Sequence, residues 1–309
     1  MFSTSVKLIG INDFITPSKE CTKPILLKDN KPSSLKSRID ATLSDCLACS
    51  GCVTSAETVF IQQQGLEELD KLLSDNLNKI DPKIIVFSIS PQSFTSVMHK
   101  FGLNERECIK KISYFLRNSL KVDYIFTTSI ANEISIRESC IEFLKFYQTN
   151  VRMSSPPTEH HVLVSGICPG WVCYAEKVQG DLMVPRLSTV RSSQAIMGSF
   201  VKKFLCESIA KSPDQIFHVC IMPCFDRKLE AYRPDLSVKT NQKIIRQVDH
   251  VLSTYEFEDL LSRDMSLDLD FSLGFNSIED LKIMESRIFV SRGNGSGGIA
   301  VNVFIYACF

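Results

Sequence analysis

The sequence predicts an α/β protein with two lobes built on mainly parallel sheets, preceded by a small irregular segment. From Glu57 onward, helical and strand patterns alternate along the chain, which is typical of right-handed βαβ crossovers. Before that point sustained amphipathic periodicity is missing, and turn-forming residues such as Pro17, Pro24 and Pro32 recur. We therefore expect an N-terminal segment over residues 1–80 and an α/β region over residues 81–309.

The elements of the α/β region follow from hydrophobic spacing. Leucines at positions 66, 69, 72 and 73 share one face of a predicted helix, and the run from Lys83 to Ile89 is typical of a buried strand. The rest of the first round is predicted as helices over 104–120 and 132–147 and strands over 123–127 and 161–167. The second round is predicted as a helix over 192–207, a strand over 216–221 and a mixed segment over 248–261.

Charge and hydropathy exclude several function classes. The 309 residues include 35 Lys and Arg against 35 Asp and Glu, so no summed field attracts nucleic acid or anionic lipid. No stretch approaches the roughly 20 apolar residues that a bilayer span needs. We expect a soluble, intracellular protein without a nucleic-acid or membrane partner.

The 12 cysteines are the strongest chemical signal. Without a secretory signal they are more naturally metal ligands or buried thiols than disulfides. Cys46, Cys49 and Cys52 form a C-x2-C-x2-C run, a spacing that wraps a short loop around three corners of an iron-sulfur cube. The fourth ligand must come from elsewhere, and Cys21 is the nearest candidate.

Two alternatives remain for this cysteine run, a four-cysteine zinc site and coincidental buried thiols. Zinc more often uses two separated C-x2-C pairs, so a cluster is preferred. A cluster would also explain how a segment with little apolar core folds, because metal-binding free energy becomes folding free energy.

The other cysteines fall into two groups. Cys108, Cys140 and Cys206 lie within predicted helices, where a small buried hydrophobe is expected. Cys168 and Cys224 each follow a predicted strand and enter a Pro-containing turn, at the sheet edge where parallel-sheet proteins build sites. Their separation carries no signature, so spacing leaves a ligand role for them open.

Three segments together resemble the iron-only hydrogenase large-subunit family. They are SGICPGWVCYAEK at 165–177, VCIMPCFDRKLEAYRPD at 219–235 and VFSISPQSFTSVMHKFG at 86–102. The stretch DCLACSGCVTSAE, together with the upstream Cys21, is more similar to a eukaryotic branch of that family, the cytosolic iron-sulfur assembly factors and nuclear prelamin A recognition factor-like proteins. The resemblance implies the two-lobed fold of the hydrogenase large subunit.

The resemblance also implies which cysteines bind clusters. It places one [4Fe-4S] cluster on Cys21, Cys46, Cys49 and Cys52, and it assigns Cys168 and Cys224 to a second [4Fe-4S] cluster. In the family, two further ligands of the second cluster come from a C-terminal glycine-rich cysteine motif, and GNGSGGIAVNVFIYACF at 293–309 resembles the region before that motif. We therefore expect an α/β region that is incomplete at its C-terminus, one bound cluster, and a second site whose remaining ligands are absent from this chain.

Departures from the family motifs bear on activity. Hydrogenases of the family relay a proton through a thiol just before the Cys168 position, and here Ile167 stands there. The lysine that holds the diiron unit is replaced by Arg227, whereas Lys228 and Glu230 match the family. Arginine differs from lysine in shape and hydration, so the resemblance implies a protein that is not an enzyme.

The implied function is cytosolic iron-sulfur cluster assembly. The protein would pass [4Fe-4S] clusters, or support their transfer, to cytosolic and nuclear apoproteins. Its implied partners are the cytosolic assembly and targeting complex proteins, and its implied location is the cytoplasm, with the nucleus left open as a second location. The alternatives are a prelamin-type interaction protein with structural clusters and, less favoured, a hydrogenase-type redox enzyme.

Overall fold

The computed structural model describes Val59 and residues 61–152, 162–239, 243–264 and 298–308. Four of the six predicted ligands, Cys21, Cys46, Cys49 and Cys52, lie outside the described residues. Of the predicted N-terminal segment over residues 1–80, the structure describes only Val59 and residues 61–80. The predicted boundary at residue 80 stays a prediction.

The first half of the described chain alternates helices and strands as predicted. The elements are α1 (Leu66–Leu77), β1 (Ile84–Ile89), α2 (Pro91–Phe101), α3 (Glu105–Asn118), β2 (Tyr124–Thr127) and α4 (Ser129–Tyr147), which ends in a π-helical turn (Gln148–Arg152). Local capping explains two of these starts. Asn104 and Glu107 form a reciprocal capping box at α3, and the Ser90 hydroxyl accepts from the Ser93 amide at α2.

The second half carries shorter elements. They are α5 (Pro169–Val178), α6 (Gly180–Met183), α7 (Ser193–Ser199), which continues through a π-helical stretch (Phe200–Leu205) into α8 (Cys206–Ser208), then β3 (Ile216–Met222), α9 (Asp226–Ala231), β4 (Ser237–Lys239), β5 (Ile244–Arg246), β6 (His250–Ser253), α10 (Thr254–Asp264) and α11 (Ile299–Cys308). The predicted helix over 192–207 and the predicted strand over 216–221 are confirmed.

Four strands form one parallel sheet in the order β2-β1-β3-β6, and β4 and β5 form a small antiparallel pair. The parallel sheet takes β1 and β2 from the first predicted round and β3 and β6 from the second. The predicted βαβ alternation and the parallel pairing are thus confirmed, and in the described residues both rounds contribute to the same sheet. β2 lies on one side of β1 and β3 lies on the other side. The order of the strands therefore reverses direction between β1 and β3.

Helices cover both faces of this sheet. On one face Phe87 of β1 packs with side chains of α1, α2, α3 and α10, including Leu69 and Ile112. On the other face Val86 packs against α4 and the α7 region, including Val201. Alternate residues of β1 therefore face opposite helix layers, which is why the strand is apolar on both faces except at Ser88, whose hydroxyl is hydrogen-bonded to His218.

The predicted buried strand over 161–167 is wrong. Residues 162–167 of the described chain are exposed or half-buried, and they make only one isolated parallel bridge, from Val164 to Leu187. An apolar run such as VLV predicts a strand only where a neighbouring strand offers free hydrogen bonds, and here the four-stranded sheet is built without it. Cys168 consequently follows a loop.

The apolar residues near the end of the chain form helix α11, which lies against α4. Several of its large side chains are exposed in the described part of the structure, with Phe304 at 70%. No helix of the described residues is long and apolar enough to cross a membrane.

Candidate metal centre

Cys224 lies just beyond the carboxyl end of β3, two residues before α9 begins. Its thiol is half-buried, and burial raises the pKa of Cys224 to about 11. The neighbouring Asp226 carboxylate and the Cys168 sulfur raise this pKa further, whereas the guanidinium and the backbone N–H of Arg227 act in the opposite direction. Without a metal, the thiol is therefore held in its protonated form at neutral pH.

Cys168 is the N-cap of α5. Its sulfur accepts a hydrogen bond of 3.4 Å from the backbone N–H of Trp171, and Pro169 occupies the first helical position, where no N–H is needed. Cys168 is solvent-exposed, so its sulfur is accessible.

The two cysteines are brought into the same site by the close approach of α5 and α9. A Cβ atom added at Gly170 in α5 would lie 2.5 Å from Oδ2 of Asp226 in α9, so only glycine allows this packing. The Cys168 sulfur acts electrostatically on the Cys224 thiol, which places the two sulfurs within mutual range. The fold therefore brings the segments of the two distant cysteines near each other, with Cys168 on a loop, and their role as ligands of one site stays a prediction.

The donor set fits half of an iron-sulfur cube. Two thiols, one exposed and one half-buried, match the soft ligands that such clusters take, and the helix N–H groups around them supply the hydrogen bonds that thiolate sulfurs need. Among the described residues, no group of three or more Cys, His, Asp or Glu side chains is placed to hold a metal ion. The described residues thus supply two thiols to the candidate centre and no complete ligand set.

The predicted buried cysteines are found where they were expected. Cys108 lies in α3, Cys140 in α4 and Cys206 in α8, and all three are buried. Burial raises the pKa of Cys108 to about 12, so this thiol is neutral in the core. These residues behave as small hydrophobes.

A cavity of about 360 Å³ lies beside the Cys168 loop. Its lining includes Ile167, Cys173, Glu176, Arg227 and Glu230. Glu230 forms an ion pair with Arg227 at 2.6 Å. The side chain at the predicted proton-relay position is thus an aliphatic group at the wall of this cavity.

Sequence reasoning missed the contact between Gln64 and α9. The Gln64 amide nitrogen donates to the backbone oxygen of Lys228 at 3.1 Å, and Gln64 Oε1 accepts from the Val251 N–H at 3.0 Å. Gln64 stands 12 residues after Cys52, so the stretch that follows the cysteine run is bonded to the helix that follows Cys224. A single glutamine carries no pattern that would have indicated this contact.

Comparison with known sequences decides the family. The profile described as iron only hydrogenase large subunit, C-terminal domain, matches residues 83–307. The chain belongs to the iron-only hydrogenase large-subunit family. It is 38% identical over 343 residues to a probable cytosolic Fe-S cluster assembly factor of Nematostella vectensis, covering 99% of this chain and 75% of the relative. It is 37% identical over 334 residues to the cytosolic iron-sulfur assembly component 3 of Pongo abelii, covering 99% of this chain and 68% of the relative.

Solved structures of the iron-only hydrogenase family share the fold. An apo [FeFe]-hydrogenase from Chlamydomonas reinhardtii matches with a TM-score of 0.54 and 25% identity over 63% of this chain and 47% of that chain. Another hydrogenase structure from the same organism matches with a TM-score of 0.61 and 24% identity over 77% of this chain and 57% of that chain. The chain thus spans about half the length of the hydrogenases that it matches, and the predicted hydrogenase-like α/β fold is confirmed.

Proposed function

We propose that this chain is an iron-sulfur protein of cytosolic cluster assembly that catalyses no reaction of its own. It holds one [4Fe-4S] cluster on Cys21, Cys46, Cys49 and Cys52, and it passes clusters, or supports their transfer, to cytosolic and nuclear apoproteins. Support comes from the relatives named as cytosolic iron-sulfur assembly factors, which match 99% of the chain.

The structural observation that carries the proposal is the convergence of Cys168 and Cys224 at the starts of α5 and α9. In the proposed function these two thiols supply two ligands of a second [4Fe-4S] cluster. A cluster bound there would be held by two soft sulfur donors and stabilised by backbone N–H groups, while the chain's own residues orient the thiols.

The absence of enzymatic activity follows from the residue beside Cys168. The Ile167 side chain carries no exchangeable proton, and the backbone oxygen of Ile167 is already engaged by Arg227 at 2.6 Å. The side chain therefore supplies no proton path to a metal bound in the neighbouring cavity.

The partners and the location are inferred from the relatives named as cytosolic assembly factors. We infer that the protein works with the cytosolic assembly and targeting complex proteins, in the cytoplasm and also in the nucleus, where some of the recipient apoproteins reside. It needs neither nucleic acid nor a membrane for this role.

Anaerobic reconstitution tests cluster binding. The reconstituted chain should be brown and should hold iron and sulfide in equal amounts, with the Mössbauer or paramagnetic resonance spectrum of a [4Fe-4S] cluster. Cys49→Ala should lose the N-terminal cluster, whereas Cys108→Ala removes a thiol from the core of α3 and should keep the iron content unchanged. Stoichiometric zinc without sulfide would contradict the cluster assignment.

Transfer is tested separately from binding. The reconstituted protein is mixed with a cytosolic iron-sulfur enzyme in its apo form, and recovery of that enzyme's activity is measured with and without the targeting complex. Recovery by the intact protein and its loss in the Cys49→Ala variant would support a role in assembly. A stable cluster with no recovery under either condition would favour an interaction protein with structural clusters instead.

A further inference from the structure

One buried side chain connects the two cysteine-bearing segments of the candidate metal centre. Arg227 lies three residues after Cys224, and Nη2 of its guanidinium donates to the backbone oxygen of Ile167 at 2.6 Å. Ile167 directly precedes Cys168. The guanidinium thus ties the backbone on one side of Cys168 to the helix that follows Cys224.

The guanidinium is itself held in a defined orientation. Its Nη1 donates to Glu230 Oε2 at 2.6 Å, one helical turn further along α9. The backbone oxygen of Arg227 accepts from Gln194 at 2.9 Å, which anchors α9 to α7. Arg227 is only 3% exposed, so water competes little for these bonds. A planar fork that donates in two directions suits this arrangement, and a lysine ammonium would not reproduce it.

The loop that carries Cys168 depends on such outside support. Residues 162–167 join none of the described strands, and within the described part of the chain the loop's other backbone bonds are made at Val164, to Arg186 and Ser188. Between Val164 and the helix start at Pro169, the Arg227 contact is therefore the bond that sets the backbone next to Cys168. Because this bond is charge-assisted and buried, it is stronger than a neutral loop hydrogen bond.

Arg227 also keeps a buried nitrogen without a partner. Its Nε has no hydrogen-bond partner among the described residues. An unsatisfied buried N–H is costly, and native structures retain few of them. The orientation of the guanidinium thus satisfies the contacts of Nη1 with Glu230 and of Nη2 with Ile167, and it leaves the Nε–H without a partner among the described residues.

We propose that Arg227 is a positioning residue for Cys168, which holds this thiol at the separation from Cys224 that a shared cluster requires. The inference rests on the proposed second cluster site. The inference adds Arg227 as the residue that orients the Cys168 thiol. Arg227 itself does not touch the metal.

The clamp itself is tested in the metal-free full chain by amide hydrogen exchange. Arg227→Gln should speed exchange in the peptide covering residues 165–172 by about tenfold, the change expected when one charge-assisted hydrogen bond is lost. Lys202→Met is the matched control. Lys202 is as deeply buried and bonds to the Ile216 backbone oxygen and to Asp249, but it contacts neither cysteine segment. Equal effects of both variants on this peptide would overturn the proposal, as would no effect of Arg227→Gln.

The consequence for the cluster is tested by a double-mutant cycle in reconstituted protein. Arg227→Gln should speed release of iron from the second site to a chelator, and Arg227→Lys should restore only part of the original rate. In a Cys168→Ser background, Arg227→Gln should change the release rate no further, because the positioned thiol is gone. An effect of the same size in both backgrounds would show that Arg227 does not act through Cys168.

The two levels of the proposal fail in distinguishable ways. If the intact protein binds no cluster that depends on Cys168, the two thiols do not suffice to hold a cluster in this chain, and the exchange experiment still decides whether Arg227 holds the loop. If such a cluster forms and Arg227→Gln leaves both its release rate and the loop exchange unchanged, the second site stands and the positioning role is wrong.

Discussion

The ammonium group of Lys228 donates a hydrogen bond of 2.8 Å to the backbone oxygen of Gln64, 164 residues earlier in the chain. The same ammonium pairs with Glu256 at 2.6 Å, and Lys228 is completely buried. Burial lowers the pKa of Lys228, and the Glu256 carboxylate opposes this shift. The contact joins the stretch after the N-terminal cysteine run to the helix after Cys224, so Lys228 links the two candidate cluster segments.

Replacing this buried ammonium should destabilise the protein strongly. Lys228→Met leaves the Glu256 carboxylate without its cation, and breaking a buried pair in this way costs about 3–5 kcal/mol. Lys243→Met is the control, because Lys243 is exposed and lies 3.8 Å from Asp214, where a surface pair contributes about 1 kcal/mol or less. Urea denaturation of the metal-free protein measures both. A loss below about 1 kcal/mol in Lys228→Met would contradict this role.

Acid should destabilise the fold through two buried histidines. Burial lowers the pKa of His218 and of His250 to about 3, from an ordinary value of 6.5. For His218 the nearby Lys202 adds to the lowering and a backbone hydrogen bond to Gln247 opposes it. Between these values the unfolded chain binds protons that the folded protein does not, so stability is complete above pH 6.5 and falls as the pH decreases.

The slope of this decrease is measurable. Each histidine contributes up to about 1.4 kcal/mol for each pH unit below 6.5. The free energy of unfolding of metal-free protein should be followed from pH 7.5 to pH 4.5. His218→Gln, although less stable at neutral pH because it loses the bond to Ser88, should show a shallower slope. An unchanged slope in this variant would mean that His218 is already protonated in the folded protein.

A methyl group at Gly166 should displace the single tryptophan of the chain. An added Cβ atom would lie 2.7 Å from the Trp171 ring, so the ring or the loop must shift. Gly166→Ala should therefore cost about 1–3 kcal/mol and shift the tryptophan emission. Gly180→Ala meets no atom within 4 Å and should leave both quantities nearly unchanged. Equal behaviour of the two variants would show that Trp171 does not pack on this loop.

The protein should neither evolve nor take up hydrogen, even when a diiron cofactor and its maturation factors are supplied. Ile167 has no side-chain proton to exchange, and Arg227 occupies the wall of the cavity beside it. Gas production with a reduced low-potential dye is measured under anaerobic conditions. Ile167→Cys adds a thiol at this position and should not by itself create activity, because Arg227 remains. Hydrogen above background in the unmodified protein would refute the assignment as a non-enzyme.

Much of the fold could be predicted because its determinants are local. The apolar run of β1, the amphipathic pattern of α3 and the capping residues Asn104 and Glu107 act within a few positions of one another. The same holds for the burial of Cys108, which follows from its place on the apolar face of a helix. Such patterns need no knowledge of the neighbouring element.

The candidate site could be predicted only in part. Motif resemblance paired Cys168 with Cys224, and the turn residues around them indicated a site at the carboxyl end of the sheet. The resemblance also marked Arg227 as a departure from the family. It did not indicate the contact of Arg227 with Ile167, because any residue can accept a hydrogen bond with its backbone oxygen.

The tertiary structure decided which apolar segments pair and which polar groups meet. The segment from Val162 to Ile167 has the composition of a strand and became a loop, since it pairs with none of the described strands and makes one isolated bridge, from Val164 to Leu187. Gln64, Lys228 and Glu256 have no common pattern, yet they form one buried network because burial forces each polar group to find a partner. Local periodicity sets the elements, whereas strand pairing and buried hydrogen bonds depend on residues that come together only when the chain has folded.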